Sequence, residues 1–104
     1  MKKRKSVKEK ITAGTTTTWN NDSGDCYLHC VEVASTDGTP NTTITLDHVV
    51  DSNDHLLMSQ ADTALDTVVY IPENVIQISK GDDLKITSTT SGSFSVVITL
   101  SLEG

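Results

Sequence analysis

Apolar residues recur along this chain at every second position in short runs, and almost nowhere at helical spacing. The cleanest run is the last. Phe94, Val96, Ile98, Leu100 and Leu102 alternate with Ser93, Ser95, Thr99 and Ser101, and only Val97 interrupts the pattern. Such alternation predicts a strand with one dry and one wet face. Further strands are predicted at Cys26–Ala34, Thr42–Val50, His55–Met58, Val68–Ile71, Val75–Ser79 and Leu84–Thr89. Val7, Ile11 and Ala13 suit the start of another, and Thr15–Trp19 is extended by composition. Turn formers punctuate these runs: NNDSGD from Asn20, STDGTPN from Ser35, DSND from Asp51, KGDD from Lys80 and TSG from Thr90. Pro72 marks a strand end or an edge. Only Gln60–Asp66 has helical spacing, through Ala61, Ala64 and Leu65, and it is too short to anchor a fold. The pattern predicts an all-β chain: a single small β-sandwich of seven or eight antiparallel strands, jelly-roll or immunoglobulin-like.

Composition fits that picture. The 104 residues suffice for one domain, and 10 Val and 7 Ile can close a sandwich core with few aromatics. Thr and Ser are abundant, at 16 and 11 residues. Thr keeps β-propensity on a solvent face without adding apolar surface, and it also suits polar contacts between subunits. Composition leaves both uses open.

Charge divides the chain. Residues 1–10 hold six of the eight basic residues and one acid, a balance of +5. The rest holds two lysines against thirteen acids, a balance of −11 within the total of −6. The expected organisation is a basic N-terminal arm over residues 1–10 and a β-sandwich domain over 11–104. No apolar stretch follows the basic leader as a signal peptide would require, so synthesis in the cytoplasm is expected. No run approaches a membrane span.

Candidate chemistry is sparse. On a regular strand Cys26 and Cys30 share a face but sit roughly 13 Å apart, too far for a disulfide. They read as small core hydrophobes. His29 and His48 fall inside strands, and His55 follows a turn. No HxH or CxxC pair supplies close metal ligands, no glycine loop cradles phosphate, and most carboxylate pairs lie in turns. Neither an enzyme nor a cofactor is expected. The residues that stand out are Lys2, Lys3, Arg4, Lys5, Lys8 and Lys10, a cluster able to engage an acidic partner, and Trp19, the only Trp, beside a polar turn.

The order IPENV (Ile71–Val75), IQISKGDDLKITST (Ile76–Thr89) and SFSVVITL (Ser93–Leu100) resembles the small β-sandwich accessory proteins of tailed-bacteriophage virions, the cement, decoration or head-to-tail proteins. The resemblance spans Val68–Leu102. It implies a non-enzymatic structural role in the virion: a homo-oligomer, often a trimer, bound to the major capsid protein or another virion component and gripping neighbours through its terminus. The basic arm would also suit an end that touches packaged DNA. The alternative is a β-sandwich binding module for carbohydrate or a protein ligand, with Trp19, Tyr27 and Tyr70 as the available stacking platforms.

Overall fold

A computed structural model describes residues 3–38, 41–62 and 67–102. Seven strands appear among them: β1 (Arg4–Asn20), β2 (Cys26–Ser35), β3 (Thr42–Val50), β4 (Asn53–Asp62), β5 (Thr67–Tyr70), β6 (Gln77–Ile78) and β7 (Asp83–Ser101). All strand pairings among the described residues are antiparallel, and the sheet folds over on itself into a nearly closed sandwich.

Two long strands organise it. β7 runs through the position where TSG predicts a turn, and β1 joins the two short strands expected from Val7 and Thr15. Together they form one ribbon that bends at the Gly14–Gly92 pair. The bend comes from register shifts on both sides of Gly14: β1 advances from Ile11 to Thr16 while β7 runs from Phe94 back to Thr87. The strand with more residues takes the longer path round the corner, as at a β-bulge. Because the excess is two residues, inward and outward positions keep their parity, and Leu84, Ile86, Phe94, Val96, Ile98 and Leu100 all point inward. Ala13, at φ 49°, takes the sharpest part of the bend, and its N–H donates to Ser93 Oγ at 3.2 Å.

Beyond the corner the arms separate. The first half of β7 pairs β3, which pairs β4. The second half pairs β2, which carries β5 and β6 on its far side. Ile44 and Leu46 from one layer face Val31, Val33 and Val68 from the other, and none of these is more than 2% exposed. The bottom of the sandwich is tied by Asn21, which is fully buried. Its amide donates to the carbonyls of Gly24 at 2.7 Å and Ile78 at 3.0 Å, and its backbone bonds Asp82 and Gly81. Gly81, at φ 94°, turns the chain there in a conformation a side chain would strain.

Several expectations change. The boundary expected after Lys10 falls inside β1. Leu102 lies past the end of β7 and is exposed rather than core. Val75 belongs to an irregular segment, and only Gln77–Ile78 of the predicted strand pairs. Gln60–Asp62 ends β4, and the remainder of the expected helical turn lies outside the described residues. A register shift at His29 turns Cys26 inward, opposite Ile78, and Cys30 outward, opposite Thr99. The cysteines therefore face opposite sides of the sheet, both free, and only Cys26 is core.

The Thr and Ser surplus has a place as well. Thr16, Thr87, Thr45 and Ser59 are successive cross-strand partners on the outer face of the β1–β7–β3–β4 layer. Thr satisfies the sheet there with no apolar area offered to water.

Candidate binding site

The ribbon's geometry gives the sandwich two unlike long sides. On one, β1 is the outermost strand of both layers, because folding a ribbon end over end leaves its edge on the same side. β1 pairs only β7, so the other edge of its backbone has no strand partner among the described residues. Cross-strand pairing places Lys5, Val7, Glu9 and Ile11 on the inner face with Leu100, Ile98, Val96 and Phe94. Arg4, Ser6, Lys8 and Lys10 therefore point outward.

Most of the residues singled out from the sequence lie along β1. Arg4, Lys8 and Lys10 are exposed, and none makes an ion pair among the described residues. Lys3 is exposed at the entry to β1, and its carbonyl accepts from the N–H of Leu102. Lys5 donates to Ser23 Oγ at 3.3 Å. Trp19 sits on the other arm of β1, half-buried against the core. Lys2 lies outside the described residues.

The opposite side is built from β4, β5 and the segment that follows β5. Pro72 has no N–H to continue a ladder, and the chain leaves the sheet at Ile71. It returns when Ile76 C=O accepts from Leu28 N–H at 2.9 Å. Across the gap, β4 carries an extra residue: Leu46 pairs Met58 and Asp47 pairs Leu56, leaving Leu57 between them. Leu57 turns to the core beside Tyr70 and Ile76. These three, with Ile71, Glu73 and Asn74, line an open groove of about 470 Å³. Ile71, on the lining, is 66% exposed, and Leu56 and Val75, each next in sequence to a lining residue, are 64% and 77% exposed. The groove offers an apolar floor, one phenol ring, one carboxylate and one amide. It can hold a small apolar or amphipathic surface and fix its orientation by hydrogen bonds.

Of the groove's residues only Tyr70 is singled out from the sequence, as a stacking platform; Leu57, Ile71 and Ile76 fall within predicted strands with nothing to mark them as a site. The signal was the loss of the alternation pattern: Ile71, Val75 and Ile76 crowd a segment broken by proline, where no strand buries them all.

One imidazole and three carboxylates, His48, Asp82, Asp25 and Asp37, tie the fold together. His48 Nε2 and Asp82 Oδ2 lie 2.8 Å apart, and that same oxygen accepts from Ser79 N–H at 2.9 Å. The pair ties β3 to the turn before β7. Asp25 accepts from Lys80 N–H, and Asp37 from Ser93 N–H. Among the described residues no three of His, Cys, Asp and Glu are grouped to hold a metal ion.

No family model matches the chain, and no curated protein matches it. Solved structures share its fold. The Drosophila NLP-core, described for pentamer formation and histone binding, aligns with a TM-score of 0.55 at 10% identity over 97% of this chain and 98% of that one. The family 32 carbohydrate-binding module of C. perfringens NanJ, solved with galactose, aligns at 0.55 with 9% identity over 90% and 93%. That of AlyQ, solved with 4,5-unsaturated mannuronic acid, aligns at 0.52 with 14% identity over 97% and 78%. The shared property is the small β-sandwich fold.

Proposed function

We propose that this chain is a non-enzymatic β-sandwich binding module whose ligand site is the groove between β4 and the segment after β5. The observation that carries the reading is a preformed groove with Ile71 largely in water on its lining, and with Leu56 and Val75 exposed at positions next in sequence to lining residues. Exposed apolar clusters rimmed by polar groups mark interaction sites. The exposed Ile71 on the lining, with Leu56 and Val75 exposed at neighbouring positions of the chain, suits a protein ligand. A carbohydrate is the second reading, supported by Tyr70 beside Glu73 and Asn74, a ring face with a carboxylate and an amide for hydroxyl groups. The kinship of fold with galactose- and uronate-bound modules is compatible with it. The virion role implied by the C-terminal third is one setting for the protein-binding reading, with a capsid surface as ligand.

Amide shifts of the labelled protein test this. They would be followed while galactose, mannuronate or more of the protein itself is added. Displacements at Leu57 and Tyr70–Ile76 support the groove as the site, and the agent that causes them identifies the ligand class. Shifts confined to other surfaces, or none with any agent, overturn the reading.

A further inference from the structure

We propose that the groove takes a second copy of this chain, and that the surface it takes is the folded β1 edge carrying Arg4, Lys8, Lys10 and Trp19. This rests on the binding-module reading and names its partner.

The two surfaces lie on opposite long sides of one sandwich, so a copy engaged at its groove still has its β1 edge free. The contact is heterologous, head to tail, and such contacts propagate until they close into a ring. Charge selects this pairing over its rivals. The β1 edge presents Arg4, Lys8 and Lys10 outward, with its one acid, Glu9, on the inner face opposite Val96. The groove side presents Glu73 at the rim and, on the outer face of β2 opposite Val69 of β5, Glu32. Both are exposed and without ion pairs among the described residues. Asp54 of β4 is held by Lys85 at 2.6 Å. Two β1 edges meeting would set lysines against lysines, and two grooves would set glutamates against glutamates. Edge against groove brings opposite signs together, and like-charge contacts disfavour those two alternatives.

The apolar parts agree. Ile71 on the groove lining and Val75 in the same segment stand largely in water, while Trp19, on the other arm of β1, is half-buried. A contact that buries apolar side chains at its centre with charged pairs around them has the usual anatomy of a protein interface.

Paired charge reversals test the proposal, using light scattering on the eluting full-length protein. The unmodified chain should run above its 11.2 kDa monomer mass and fall toward it at high salt. K8E/K10E and E32K/E73K should each elute as monomers with unchanged circular dichroism, since all four side chains point to water. Mixing the two in equal amounts should restore the large species, because each variant's reversed side complements the other's.

A wild-type monomer throughout the micromolar range overturns the proposal. So does an assembly that survives E32K/E73K, or a mixture that stays monomeric. If the protein is monomeric while sugars move the groove amides, the binding module stands and the second copy falls. If single-stranded DNA instead binds the β1 edge of a monomer, that edge belongs to a polyanion and the proposal fails.

Discussion

The two long sides of this sandwich meet the same difficulty in opposite ways. An edge strand offers unpaired backbone groups to any passing strand. On the β1 side the answer is charge: a long, regular edge studded with Arg4, Lys8 and Lys10, which discourages pairing with its own kind. On the other side the answer is irregularity. β5 spans four residues, Pro72 ends it, and the chain wanders before pairing again at Gln77. Irregularity has a consequence that charge does not: it leaves Ile71 and Val75 in water. One side is soluble and selective by design of its charges, the other is open and apolar. That contrast is what the proposed pairing of the two sides rests on.

Asn21 offers the largest way to break the contrast, because it fixes the end of β1 to β6 on the far side. Fully buried, it donates to two carbonyls and accepts from Ser23 N–H at 3.4 Å. Asn21→Leu leaves those buried carbonyls without donors, at roughly 2–3 kcal/mol of stability by the cost of unsatisfied buried groups. Urea unfolding measures it. A loss below about 0.5 kcal/mol, the usual range for surface changes, would show that the two sides are not fastened there.

A smaller effect reads both sides at one atom. Burial beneath β6 pushes the Cys26 thiol up from its ordinary 9.0, while Lys5 of β1 pulls it down and Asp25 adds to the rise. A raised folded pKa means the folded state keeps its proton longer than the unfolded chain. The associated stability is complete below the unfolded thiol pKa and is lost as pH climbs through the folded one. The urea midpoint should therefore decline more steeply in alkaline solution for the natural chain than for Cys26→Ala. Lys5→Met should steepen that decline, since the lysine's opposing pull is gone. Equal slopes in all three proteins would rule out the thiol as the sensor. Iodoacetamide adds a check: Cys30, half-buried on the outer face, should react in the folded protein while Cys26 waits for unfolding.

How far the sequence reads depends on which rule governs each region. Thr42–Val50 is a strand in the structure with the bounds that alternation predicts, and Phe94–Leu100 bury the expected face. Period-two burial is a local property, so the sandwich class was legible. The corner was not. Glycine and serine at Thr90–Gly92 look like a hairpin turn, and only the pairing with Gly14, distant in sequence, shows a continuous strand bending there. The facing of Cys30 failed similarly, since one bulge residue at His29 reverses every expectation after it. The β1 half of the proposed contact stood out as a run of charges. Its counterpart did not, because a groove assembled from β4, β5 and a loop has no signature in any one segment.

The gentlest substitutions sharpen the contrast most, because they separate folding from binding. Ile71→Ser and Val75→Ser remove side chains that already stand in water, so folding stability should change by no more than about 0.5 kcal/mol. If the apolar rim is a binding surface, the same pair should lose ligand or self-association by at least tenfold, since apolar anchors at a contact centre dominate its energy. Lys85→Ala supplies the control. Its bond to Asp54 holds the ammonium above its ordinary pKa, yet the pair is solvent-exposed, and exposed ion pairs contribute little. It should leave stability and elution mass as they are. A fall in stability for the serine pair comparable to that of Asn21→Leu would mean Ile71 and Val75 act in the core of the fold. The apolar side of the sandwich would then be no more a binding surface than the charged one.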